Sequence, residues 1–391
     1  MIIIKQPKIL NIKDDFSRLS CDIQVDDELR TVWFDVAKEY EEYLCVERAD
    51  AFVIGLLSWA MRLNHDIKCE VPVTDELLYN IETYVIPSLT KYGKSLHNIT
   101  IDADIQPALS TAGGVGTGCS CGVDSFHAIL NNYNSKYPNA KLTHLCLNNV
   151  GSFGSSQDKT LINTRRKVAN EIAAKLGLKV IITDSNFADI FVQDHLLTNT
   201  YSSMFAVFCL QKLWKTYFYA SCHDFSHFKL QYNDLFDTSF TDLLLLNSFS
   251  NRNLRLYSEG ATKTRLEKTA FIADSSLVQE NLHVCLHKSH NCGKCPKCIR
   301  TMNSLYALGK LDKFSQVFNV KEYYRNINFY LGELYWLHLK KDTMTAPEYK
   351  VLKKKIPLYL KLKLLLVGIF KLIRKTYRNI FKKKEEVILF K

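Results

Sequence analysis

The chain has 391 residues, 47% hydrophobic and 23% charged, a balance that excludes wholesale disorder, a collagen-like fibre and a polytopic membrane protein. Its net charge of +11 is unevenly placed: residues 350–391 hold 14 Lys and Arg against Glu385 and Glu386, and the preceding 349 residues hold 37 basic and 38 acidic side chains. The charge that would suggest nucleic acid therefore belongs to a tail on a neutral body.

Residues 1–95 begin with an apolar run (Ile2 to Ile4), an alternating pair (Leu10, Ile12) and TVWFDV, a short strand pattern. Helical patterns follow in ADAFVIGLLSWAMRLNH and ELLYNIETYVIPSLTKY, so this part reads as a small α/β domain with no chemical constellation. The N-terminus has no apolar core of signal-peptide length, which points to a cytoplasmic protein whose twelve cysteines are not a disulfide framework.

From residue 96 short apolar runs alternate with amphipathic helices. HNITIDA, LTHLCLN, LKVIITDSN, KTYFYAS and LRLYSEG read as strands; SCGVDSFHAILNNY, TRRKVANEIAAKLG and MFAVFCLQKLW read as helices between them. The alternation predicts an α/β domain over 96–272 with a doubly wound parallel sheet. Ligands of such sheets sit beyond the carboxyl ends of the strands. A cysteine-rich segment (273–315) and a helical, basic C-terminal region (316–391) complete the expected organisation.

The segment STAGGVGTGCSCGVDSFHAIL carries Gly113, Gly114, Gly116, Gly118 and Gly122. Placed between a strand and a helix, it can bring backbone N–H groups close to an anion. Ser120 and Ser125 can donate to phosphate oxygens, and Asp124 can hold Mg²⁺. A Walker A loop is excluded because no GKS or GKT ends the run. SCGVDS resembles the SGGxDS signature of the PP-loop ATP pyrophosphatases, with Cys121 where that family usually has glycine. The resemblance implies that Ser120, Cys121, Gly122, Val123, Asp124 and Ser125 hold ATP with Mg²⁺, with Asn148 and Asn149 of NNVGSFG beside the adenine. Asp124, Ser125, Arg265 and Lys268 would then act on the phosphates, the two cations meeting charge that develops on phosphorus.

VCLHKSHNCGKCPKCIRT spaces Cys285, Cys292, Cys295 and Cys298 as C-x6-C-x2-C-x2-C, which suits a closed tetrahedral site. Zn²⁺ is the expected ion and an iron–sulfur cluster the alternative, with His283, His287 and His290 in the same loop. A PP-loop segment followed by C…CxxCxxC and Arg300 is similar to the 7-cyano-7-deazaguanine synthase-like proteins. That similarity covers roughly residues 97–315. It implies a ligase that activates a carboxylate with ATP, releases pyrophosphate and admits ammonia or another amine, beside a structural zinc.

Two other readings stay open. Cys119, Cys121 and Cys222 near the expected loop suit sulfur transfer to tRNA or a nucleobase, and the Cys121 departure suits a catalytically silent nucleotide-binding subunit. The sequence does not decide a homo-oligomer.

Residues 358–382 segregate on a helical wheel. Leu358, Leu362, Leu365, Leu366, Ile369 and Phe370 fall on an apolar face, Lys363, Lys371, Arg374 and Lys375 on a basic one, with Leu360, Leu364 and Val367 as exceptions. Such a helix can dock on the protein's own core, lie in an anionic membrane interface, or steer RNA.

Overall fold

A computed structural model describes residues 1–13, 15–93, 95–152, 160–230, 237–285 and 288–366. The chain divides into two compact units, Met1–His290 and Asn291–Lys391.

In the first unit the described strands are β1 (Ile2–Ile4), β2 (Lys8–Lys13), β3 (Phe16–Val25), β4 (Glu28–Ala37), β5 (Ile67–Cys69), β6 (Val73–Thr74), β7 (Ile101–Asp102), β8 (Ile105–Gln106), β9 (Gly114–Gly118), β10 (His144–Asn149), β11 (Lys179–Ser185), β12 (Trp214–Ala220) and β13 (Arg255–Glu259). Eleven of them form one sheet in the order β13-β12-β9-β10-β11-β4-β3-β1-β5-β7, with β2 on β3. The five strands β9 to β13 pair in parallel, as the strand–helix alternation predicts. Numbered by their own chain order, they run 3-2-1-4-5, a doubly wound arrangement whose order reverses between β9 and β12.

The N-terminal strands continue this sheet. β4 pairs antiparallel with the end of β11, Asp35 opposite Asp184 and Phe34 opposite Ser185. Ser185 Oγ donates to the Trp33 carbonyl at 2.6 Å, and the Trp33 N–H donates to Asn186 Oδ1 at 2.8 Å. One apolar cluster runs from Ile2 in β1 to Leu256 in β13. The alternation of apolar residues marks strands but not their neighbours, so residues 1–95 read as a separate domain while their sheet is shared.

One strand lies where the sequence predicts loop. HNITIDA supplies only the two-residue β7, paired with β5 at the far side of the sheet. The strand that enters the glycine-rich turn is β9, GVGTG, whose glycines read as loop by composition alone. Its position in the sheet explains them. A Cβ on Gly114 would lie 2.9 Å from the Leu213 carbonyl oxygen, and one on Gly116 would lie 2.7 Å from the Trp214 ring. These two glycines serve close packing against the β12 segment, not the approach of an anion.

The second unit is helical where described, with helices Pro296–Ala307, Val320–Arg325, Ile327–Leu339 and Ala346–Leu352, and helical residues 358–366. Leu331, Leu334, Tyr335, Leu352 and Ile356 form an apolar core cluster in it. Ser304 Oγ donates to the buried Glu348 Oε1 at 2.6 Å, which satisfies one carboxylate oxygen inside that core. The expected apolar face of the last helix is not the one that docks. Leu360 and Leu364, the exceptions on the wheel, pack over Gly332, whereas Leu358, Leu362, Leu365 and Leu366 are exposed. The remaining wheel positions, from Val367 onward, lie outside the described residues.

Candidate functional site

The reversal of strand order leaves a crevice at the carboxyl ends of β9 and β12. A cavity of about 180 Å³ opens there, lined by Gly118 at the end of β9, Cys119 and Ser120 after it, Asn148 of β10, and Tyr219 and Ala220 of β12. Ser125, Ser152 and Ser203 add to its polar wall. The turn from β9 is short, because the helix Val123–Asn132 begins at once behind Gly122. Gly122 caps that helix in extended conformation with no side-chain hydrogen bond, so its first N–H groups are uncapped by side chains. A helix N-terminus favours negative charge.

Opposite this helix the segment after β13 supplies two cations. Thr264 and Glu267 form a reciprocal capping box that fixes the start of the helix Arg265–Ile272. Residues one turn apart share a face, so Arg265 and Lys268 both turn to Asp124. Arg265 donates to Asp124 Oδ2 at 2.6 Å, and Lys268 Nζ lies 3.4 Å from Oδ1. The Lys268 ammonium is 1% exposed and also donates to the Ser221 carbonyl at 2.6 Å. A buried ammonium is tolerable only with such partners.

The loop itself is strained at one residue. Cys121 has φ +62°, the left-handed region that glycine enters without cost, at the position where the SGGxDS signature has glycine. A side chain there costs about 1–2 kcal/mol. Several contacts hold it. His283 N–H donates to the Cys121 carbonyl at 2.8 Å. Arg165, 1% exposed, donates to the carbonyls of His283 at 3.1 Å and Cys285 at 3.0 Å. Cys121 is the thiol that ionises more readily, because Cys119 donates to its sulfur and the Arg165 guanidinium faces it; Cys119 is pushed up in return. Cys121 is fully buried, and the cavity wall contains Cys119 instead.

The four cysteines converge. The sulfurs of Cys285, Cys292, Cys295 and Cys298 all lie within 4.8 Å of one another. Cys292 and Cys298 Sγ are 4.0 Å apart, close to the roughly 3.8 Å edge that a tetrahedron of 2.3 Å zinc–sulfur bonds requires. The Cys295 N–H points at Cys292 Sγ from 3.3 Å, and Gly293 takes φ +69° so that the intervening turn can close. The donor set therefore fits a closed-shell ion such as zinc. His283 is turned elsewhere, its Nε2 3.1 Å from the Lys288 carbonyl, and His287 lies outside the described residues.

A second, larger cavity of about 640 Å³ flanks β13. His127, Asn131, Tyr257, Glu259 and Lys263 are among its walls. His127 stands one turn beyond Asp124 on the same helix, 1% exposed, with neither ring nitrogen hydrogen-bonded. Burial, aided by Lys263 and Lys268, holds it neutral with a pKa of about 4. Gly260, at φ +78°, leaves room for the ring, since a Cβ there would lie 2.9 Å from His127 Nδ1.

The structure thus brings Ser120, Ser125 and Asn148 to one cavity and Asp124, Arg265 and Lys268 to one ion cluster. Val123 is core, and Asn149 is held by its Nδ2 donating to Asp184 Oδ1 at 2.8 Å. Phe153 and Gly154 of the NNVGSFG stretch lie outside the described residues. Sequence reasoning missed Arg165, one of two adjacent arginines on an amphipathic helix, and His127, which reads as an ordinary buried helix position. Comparison with family models, with curated proteins and with solved structures finds no match to this chain.

Proposed function

We propose that this chain is an ATP-dependent ligase of the PP-loop type, splitting ATP into AMP and pyrophosphate to activate a carboxylate. The observation that carries the reading is the position of SCGVDS: its turn and helix start form the cavity at the reversal point of a doubly wound sheet, with Arg265 and Lys268 gathered on its aspartate. The left-handed Cys121, at a signature glycine position, supports the same reading.

In this scheme Ser120, Ser125 and the first N–H groups of the helix receive phosphate oxygens. Asp124 would hold Mg²⁺, which would supply charge neutralisation. Arg265 and Lys268, gathered beside Asp124, place their positive charge toward the phosphates. The substrate carboxylate attacks the α-phosphorus, the bond from that phosphorus to the pyrophosphate oxygen breaks, and an acyl-adenylate forms. Ammonia or another amine then displaces AMP. Positioning and fixed charge supply the acceleration. The cavity beside β13, with Lys263, Asn131 and neutral His127, is the seat we assign to the carboxylate substrate. The zinc has a structural role, shaping the loop whose carbonyls accept from Arg165 and whose His283 N–H donates to the Cys121 carbonyl. A sulfur-transfer reading would rest on Cys119, which lines the cavity together with Cys146, and less on Cys121 or Cys222.

Calorimetric titration with a non-hydrolysable ATP analogue and Mg²⁺ tests the site. The wild type is expected to bind saturably, and Lys268→Met to bind about 10-fold or more weakly, as for loss of one charge-assisted contact at 1.5–3 kcal/mol. Absence of binding to a folded, metal-loaded wild type would overturn the assignment.

A further inference from the structure

We propose that the C-terminal helical region docks this protein on an anionic lipid bilayer through the exposed apolar face of residues 358–366. Among the described residues only one side of this helix is used internally: Leu360 and Leu364 are partly buried over Gly332. The opposite side carries Leu358 (71% exposed), Tyr359 (60%), Leu362 (54%), Leu365 (39%) and Leu366 (57%). At 100° per residue these five fall in one arc, and Lys361 and Lys363 flank it on either side. Aliphatic side chains held in water between lysines are the pattern of a helix lying in a headgroup layer, apolar face down and ammonium groups level with the lipid phosphates.

Charge selects the partner. Residues 350–391 hold 14 Lys and Arg against two Glu, an excess that an anionic leaflet would attract. A second copy of this chain fits poorly, because pairing two such faces would oppose lysine to lysine. RNA fits poorly as well, since single-stranded RNA rewards aromatic and arginine stacking and four of the five exposed side chains are leucines. No helix among the described residues is long and apolar enough to cross a membrane, so the mode is surface attachment. This inference is independent of the nucleotide site.

Co-sedimentation of the full chain tests it, with vesicles of phosphatidylcholine alone and with about one-third phosphatidylglycerol. Each basic residue near the surface strengthens binding about fivefold, so the anionic vesicles are expected to bind at least about 10-fold more tightly, less so in high salt. Leu362→Glu with Leu366→Glu changes only exposed side chains and is expected to abolish at least 90%, or about 10-fold, of that binding with an unchanged thermal midpoint. Equal binding to both vesicles, no binding, an unaffected double variant, or capture of RNA or dimerisation in place of vesicle binding would each overturn the proposal.

Discussion

Replacing Asp124 by alanine is expected to lower the stability of the first unit by about 3–5 kcal/mol, the cost of leaving buried charge without its partner. Arg265 and Lys268 are 6% and 1% exposed and share this carboxylate, so the substitution removes one anionic partner from both. Lys268 would keep its hydrogen bond to the Ser221 carbonyl. Asp124→Asn, which retains an oxygen acceptor without the charge, is expected to cost less. Urea unfolding of the three proteins measures the effect. An unchanged midpoint for the alanine variant would mean that the cluster is solvated and that its cations are not held by Asp124. This matters for function too, because a ligand-binding defect in Asp124→Ala is confounded by the fold, whereas Lys268→Met leaves Asp124 paired with Arg265.

The second large effect concerns the metal. Elemental analysis is expected to find one zinc per chain, and chelation to lower the thermal midpoint by on the order of 10 °C, since a structural site contributes several kcal/mol to folding. Cys292→Ser, which removes one of four convergent sulfurs, is expected to reduce the bound zinc and reproduce the shift. A chain that carries no metal, or that unfolds identically with and without chelator, would contradict the assignment. Iron with visible absorbance would replace zinc by a cluster on the same ligands. Arg165 holds the Cys285 carbonyl and faces Cys121, and His283 N–H holds the Cys121 carbonyl. Loss of metal is therefore expected to weaken nucleotide binding as well as stability.

Much of the parallel sheet was legible because its strands are short apolar runs bounded by amphipathic helices; β10, β11, β12 and β13 fall where the pattern puts them. The convergence of the cysteines was legible from spacing alone, because CxxC knuckles leave little choice of geometry. The entry strand β9 was not. Its glycines are selected by the Leu213 carbonyl and the Trp214 ring, long-range neighbours that no local window contains. The continuation of the sheet into β4 was hidden for the same reason, since pairing at Asp184 and Ser185 depends on which strand arrives at that edge. The last helix shows a different failure. Its wheel has two apolar arcs, and periodicity cannot say that the smaller one, Leu360 with Leu364, meets the core. Arg165 looks like a surface arginine until the helix Thr160–Leu176 turns it onto the His283 and Cys285 carbonyls.

The central claim is that ATP is cleaved between its α- and β-phosphates at the SCGVDS turn. Exchange of labelled pyrophosphate into ATP, measured with metal-loaded enzyme across a panel of carboxylic acids, reads that step directly and needs no amine. The account predicts exchange that depends on one class of acid and on Mg²⁺, and that Lys268→Met reduces by at least about 10-fold. Saturable ATP binding with no exchange on any acid would contradict it and leave a nucleotide-binding subunit without chemistry.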